Sequence, residues 1–531
     1  MASPVAEGRP GDAERRSRME AARLSMAMAV RLYNGEIHMS CRWKTVRFRA
    51  LSRTLIGAAA ALAAIHAGAD PLLSSERRGL GAQPLVGGGG TVVIDARKSL
   101  AVTDKVILSR FSLFETMDTL IARSGSPIRS FGDTSDLFRR WWDTQNDHAH
   151  LQFLDDAWLR HCDDPSFSSS FTPPFPYECP RAEGAEATAA NDPFGRIIGA
   201  GRAGYFPVGL FNRFDLAAVD GADCGEYRIV FARNSGKVDG GNRNLIIFEA
   251  VLPNPAPGLG LMGCLPVAQF WHDLGTMSAS ARASALHGFY FDGLPGFSPV
   301  VHPDNYGAGP AGRGQIRTNQ FMAPAPGSTA VQEWMLREFK LRRACPTPSS
   351  CELRVVPTTV KTNPFAELFG SAHMISAAFQ ADFVNNQVAL LAEPDINRFN
   401  YFPPERFNAL ESPETGASDY AAQVGTLSAF KAAISAKLAS IPGTTVTADD
   451  VIERALALSC AGCHQLSPGR SIGGGQPTWP ATLRFTHVSE ETEPGPDGDR
   501  FRISPALTNV FLPHRKLVLE TFLDNAGVPG P

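Results

Sequence analysis

The chain has 531 residues, 44% of them hydrophobic and 19% charged, with a formal net charge of −3, enough apolar material for two or three domains with real cores. A balance so near neutral argues against a polyanion-binding surface, so nucleic acid is not an expected partner. The 49 glycines and 40 prolines follow no fixed period, which excludes a repeat array and predicts many turns and long loops.

Near the N-terminus, Arg42, Lys44, Arg47, Arg49 and Arg53 precede an apolar run from Leu55 to Ile65 and the small residues Ala67-Gly68-Ala69. This is a secretory signal pattern, too short and too alanine-rich for a membrane span. Met39 is a natural initiator for it, so residues 39–69 are expected to be a signal peptide and residues 1–38 an upstream extension outside the mature protein. Export predicts a periplasmic or secreted protein in an oxidising compartment. Setting aside Cys41 and the Cys460/Cys463 pair leaves six cysteines, and sequence neighbours are the simplest pairing: Cys162 with Cys179, Cys224 with Cys264, Cys345 with Cys351.

Residues 70–442 read as an α+β region. Apolar residues at helical spacing from Asp104 to Ala122 predict one helix starting near Thr103. Trp141-Trp142 is expected in a core, and Pro165 to Asp192 reads as a long loop. Tyr227 to Ala232 and Asn244 to Leu252 predict two buried strands joined by a glycine-rich turn. Helices are predicted over Ala330–Leu341, over Phe365–Ala392 with an interruption, and over Leu427–Ile441. Among the polar residues, His148 and His150 are spaced for one side of a strand, and His287, His302 and His373 read as structural. Asp215 and Arg317 with Asn319 could line a pocket, although buried salt bridges are the commoner outcome.

After Pro442-Gly443, Thr447 and the acids Asp449 and Asp450 cap a helix whose apolar stripe runs to Ser459. Cys460-Ala-Gly-Cys463-His464 follows at once. Two thiols three positions apart can each add across a porphyrin vinyl group, and the adjacent imidazole can bind the iron. A zinc site needs about four ligands and has no second pair nearby, while a thioredoxin-like dithiol should follow a strand rather than a helix. Gly473-Gly474-Gly475 then forms a loop able to pass close to a flat ring, Phe485–Val488 and Arg500–Ile503 alternate as a hairpin might, and Pro513–Leu523 predicts a closing helix.

Helix, Cys-x-x-Cys-His, glycine-rich loop and final helix together resemble the small c-type cytochrome domain over residues 443–531. The resemblance implies a small all-α, cytochrome c-like fold, one covalent haem c on Cys460 and Cys463, and His464 as the proximal iron ligand. It departs from the family in having no Met after Met374, which leaves His514 or His487 as candidate distal ligands. Six-coordinate iron favours electron transfer and an open distal face favours catalysis. The expected function is an exported monohaem cytochrome passing single electrons to a periplasmic redox protein or small-molecule donor or acceptor. The alternatives are a haem-dependent oxidoreductase of peroxidase or oxygenase type, and a binding or structural protein with an accessory haem domain.

Overall fold

The computed structural model describes residues 79–83, 92–125, parts of 134–141, 204–322 except 239, residue 329, 332–425 except 348 and 349, and 428–529. All of them belong to one compact unit, Asp70–Pro531. The signal peptide and upstream extension, the Cys162–Cys179 pair, His148 and His150 lie outside the described residues.

Seven strands run in sequence as an antiparallel meander, β1 (Ala101–Val102), β2 (Tyr205–Arg213), β3 (Asp223–Arg233), β4 (Asn244–Pro253), β5 (Gln315–Met322), β6 (Glu333–Thr347) and β7 (Ser350–Thr358), and β8 (Glu411–Pro413) pairs with the start of β6. Side chains alternate between the two faces. On one face Tyr227, Ile229, Phe231, Ile246, Phe248, Ala250, Ile316, Phe339 and Leu341 form an apolar core. It is covered by α1 (Leu113–Arg123), α2 (Leu265–Asp273) and α3 (Ala279–Phe291), which contribute Met117, Trp271 and Phe289. Trp141 packs edge-on to Phe248 and Phe339 in this core. The other face borders a cavity, so these strands are buried on both sides and their alternation is masked by continuous burial. The disulfides Cys224–Cys264 and Cys345–Cys351 form as neighbour pairing predicts.

Two predicted helices are corrected. Residues 330–341 are not helical: β6 occupies Glu333–Thr347, with Leu336, Glu338 and Lys340 on the cavity side and Phe339 and Leu341 in the core. Apolar residues on both faces mimicked a helical stripe. The single helix from Asp104 is instead a short turn, Lys105–Leu108, and α1, because the Ser112 hydroxyl accepts from Glu115 N and starts a new helix at Leu113.

The small all-α domain at the C-terminus is also corrected. Residues 443–531 contain α5 (Ala448–Leu458) and α6 (Leu512–Asn525), which follow α4 (Ala429–Leu438), but also the antiparallel hairpin β9 (Val488–Gly495) and β10 (Gly498–Ile503). Val488, Phe501, Leu519 and Phe522 belong to the same apolar cluster as the large sheet. Phe522 packs at 4.8 Å on Phe214, and Thr103 exchanges hydrogen bonds with the Phe501 backbone. Apolar surface of this segment is therefore buried by the rest of the chain rather than within a module of its own.

The entry to the Cys-x-x-Cys segment is fixed locally. Thr447 and Asp450 form a reciprocal capping box at the start of α5. Arg454, fully buried, donates to four backbone carbonyls, those of Leu391, Glu393, Ile472 and Gly473. The glycines of the 473–475 loop serve this helix: a Cβ on Gly473 would lie 1.9 Å from the Asp450 carboxyl carbon. None of the three lines the cavity.

Arg454→Ala removes a buried donor from all four carbonyls, of which Gly473 keeps the Gln476 N–H, and is expected to cost about 3–5 kcal/mol in urea unfolding, the range for breaking a buried charged network. The shared core predicts that residues 70–531 melt in one calorimetric transition; a separate low-temperature transition for 443–531 would contradict it.

Candidate functional site

A cavity of about 690 Å³ lies between the charged face of the sheet and the segment from Ala457 to Arg515. Its walls include Cys460, Cys463 and His464, and also His487 and His514. The turn that delivers the first three is tight. Gly462 folds back onto α5 so closely that a Cβ there would sit 1.7 Å from the Leu456 carbonyl oxygen, so no other residue fits between the cysteines at that position. The helix α5 ends at Leu458, Ser459 is extended, and residues Gly462–Leu466 then form a separate, widened π-helical turn.

Both thiols are free. Burial pushes each up to about 12, with the neighbouring Cys460 adding to the effect on Cys463, so both are protonated at neutral pH. The Cys463 thiol lies 3.4 Å from His487 Nε2, and His487 Nδ1 lies 2.9 Å from Ser504 Oγ. With the sulfur protonated, the consistent arrangement has S–H donating to Nε2 and Nδ1–H donating to the serine. Burial, reinforced by His464, holds His487 well below the usual imidazole range.

His464 is enclosed by aromatic and amide groups. Trp334 stacks on it at 5.6 Å and on Phe485 at 5.7 Å, and its Nε1 donates to Asn319 Oδ1 at 2.6 Å. His464 Nδ1 sits 2.7 Å from the Phe485 carbonyl oxygen and 3.5 Å from Asn319 Nδ2. The shorter contact, to an acceptor, places the proton on Nδ1 and leaves the lone pair on Nε2. Burial lowers this imidazole to about 4, an effect the Phe485 bond partly offsets.

These features fit a covalently held haem. Two thiols and a neutral imidazole line one cavity, whose volume lies within the roughly 300–1,000 Å³ of small-molecule sites. A backbone acceptor on one ring nitrogen, orienting the other, is the usual support of a metal-ligating histidine. Among the described residues no group of three or more His, Cys, Asp or Glu side chains could hold a metal ion by itself, whereas haem iron asks the protein only for axial ligands.

The two candidate distal histidines are placed differently. His487 lies with its ring centroid 4.6 Å from that of His464. Metal–imidazole bonds of roughly 2 Å on opposite sides of one ion need a wider gap, so His487 can ligate opposite His464 only after its ring moves. His514 Nε2 donates to the Gly81 carbonyl at 2.7 Å, leaving Nδ1 as its acceptor nitrogen.

The opposite wall is a lattice of charge that the motifs gave no hint of. Register sets Arg213 across from Glu226, Arg228 across from Glu249 and Arg317 across from Glu338. Arg228 bonds Glu226 at 2.6 Å and Glu249 at 3.0 Å, and Arg317 reaches Glu249 at 3.3 Å and Glu338 at 3.1 Å. Arg213 grips Asp215 with two hydrogen bonds of 2.9 Å. Burial raises the Asp215 carboxyl, but Arg213 and Arg515 outweigh it and hold the group to about 2. Asp215, Arg317 and Asn319 thus line the pocket and are also engaged in bonds. Arg228, Glu249, Glu338, Arg515 and Trp334 were missed; the available signal was confined to charges two positions apart in two strands, Glu226 with Arg228 and Glu338 with Lys340, while Glu249 is the lone charge of an apolar strand.

Unfolded histidine titrates near 6.5, whereas His464 stays neutral in the haem-free fold down to about 4. Between these values the unfolded chain binds a proton that the folded chain excludes, so stability is full above about pH 6.5 and falls as the pH drops toward 4. At about 1.4 kcal/mol per pKa unit the loss from His464 is about 3 kcal/mol, and His487 adds to it. Urea midpoints measured from pH 7 to pH 4 check this, and a flat profile would contradict it. No protein-family model, curated protein or solved structure matches the chain, which leaves its own side chains as the guide to its chemistry.

Proposed function

We propose that this is an exported c-type haem protein that passes single electrons through one haem bound covalently to Cys460 and Cys463, with His464 as the proximal ligand. The observation that carries the reading is the His464 ring: buried, neutral, bonded at Nδ1 to Phe485, with Nε2 left as the donor atom, beside two free thiols on the same cavity. Attachment needs no external redox equivalent. Cys460 and Cys463 would hold the group through thioethers, each S–H supplying its sulfur to one carbon of a vinyl C=C and its proton to the other. When bound, the haem supplies the one-electron couple. The chain orients the imidazole, holds both thiol protons and lines the cavity with fixed charges.

The partner is a periplasmic redox protein or a small-molecule donor or acceptor. No helix among the described residues is long and apolar enough to cross a membrane. One observation favours a second reading, a haem-dependent oxidoreductase with an open distal side: the wall of Arg228, Glu249, Arg317 and Glu338 is polar and spacious enough for a substrate. Carbon monoxide separates the two. Rapid binding to the reduced protein, with no axial ligand lost, supports the enzyme, and absence of binding supports the carrier.

Protein secreted from a host able to mature c-type haem should give a pyridine haemochrome spectrum and carry haem that resists acid-acetone extraction. Replacing Cys460 and Cys463 together by Ser should abolish that resistant haem. His464→Ala should retain porphyrin but change its axial coordination. An intact mass equal to that of the bare processed chain would refute attachment.

A further inference from the structure

Seven Lys or Arg side chains and six Asp or Glu side chains line the cavity, so with its histidines neutral the lining carries one positive charge in excess. Of the five arginines in that lining, Arg515, near the start of α6, is the one without a close carboxylate. Arg213 has both Asp215 oxygens, Arg228 has Glu226 and Glu249, and Arg317 has Glu249 and Glu338. Arg515 has only a contact of 3.9 Å to Asp215, a carboxylate already bonded twice by Arg213, and Phe511 at 5.8 Å from its guanidinium carbon. Among the described residues its guanidinium donates no hydrogen bond. The side chain is 12% exposed and lines the cavity.

Burial and the fields of Arg213 and Arg228 lower this guanidinium to about 9, while Arg515 in turn acts on Cys463 and His487. A buried cation in this position is costly unless a counter-charge arrives. Its planar fork matches a carboxylate, which accepts two parallel N–H bonds.

We propose that the cavity holds a carboxylate-bearing ligand on Arg515, flanked by Arg213 and Arg228 and next to Cys463. The carboxylate belongs either to a porphyrin propionate, which rests on the haem reading, or to a free organic acid, which does not. In both cases Arg515 is a binding residue.

The test uses the full chain purified without haem, with two probes. Mesohaem lacks vinyl groups and so cannot form thioethers; its binding is compared with that of its dimethyl ester by Soret titration. Succinate is compared with uncharged succinamide by calorimetry. For a propionate seat, mesohaem binds roughly ten- to a hundredfold tighter than the ester, and Arg515→Gln erases the gap. For a free-acid seat, succinate binds, succinamide does not, and Arg515→Gln weakens succinate by the same factor. Arg515→Lys, which keeps the charge and loses the fork, should fall between, and it carries the test if the Gln variant does not fold. A folded Arg515→Gln protein with both preferences unchanged, or a wild-type chain showing neither preference, overturns the proposal. Haem attachment is read separately from the haemochrome spectrum, so succinate binding that depends on Arg515 in a chain that never acquires haem would retain this site and remove the haem reading.

Discussion

The cavity depends on the register of the large sheet. Antiparallel pairing sets Arg213, Arg228 and Arg317 directly across from Glu226, Glu249 and Glu338 on one face of β2 to β6. Neither half of such an array is tolerable alone, since an unpaired buried charge costs several kcal/mol. A slip of one residue in any strand would bring Arg or Glu side chains into the apolar core and Phe248 or Tyr227 into the cavity. The same lattice that keeps the cavity polar therefore locks strand order and pairing.

Strand identity was legible where one signal dominated. In β3 and β4, Tyr227–Ala232 and Asn244–Leu252 are rich in β-branched and aromatic residues and bounded by a glycine-rich turn, and the structure pairs them. β6 was misread because Leu336 faces the cavity while Phe339 and Leu341 face the core, so burial on both sides removed the period-two pattern. The N-cap at Thr447 was readable because its determinants are local, whereas the hairpin was read only in part: the expected strand Phe485–Val488 meets β9 only at Val488, and β9 runs on to Gly495. The shared core was not readable, because the contact between Phe522 and Phe214 joins residues about three hundred positions apart, beyond the reach of any periodicity.

The candidate site divides in the same way. Cys460, Cys463 and His464 are adjacent in sequence, so their chemistry could be read directly. Their environment could not. Trp334, Asn319 and Phe485 come from β6, β5 and the loop before β9, and only the fold brings them around the imidazole, while Arg515, from the last helix, lines the same cavity. The glycine run at 473–475 is a useful contrast: it accommodates the first turn of α5 and the Arg454 side chain, a packing role that composition alone does not separate from a cofactor role.

The enclosure of His464 has a kinetic meaning. Stacked on Trp334 and bonded through Nδ1 to a backbone carbonyl, the imidazole is held at one angle before anything binds. On the proposed haem reading, an iron held at Nε2 would find a donor atom that is already deprotonated, and a ring fixed in this way would need little rearrangement when the iron's charge changed.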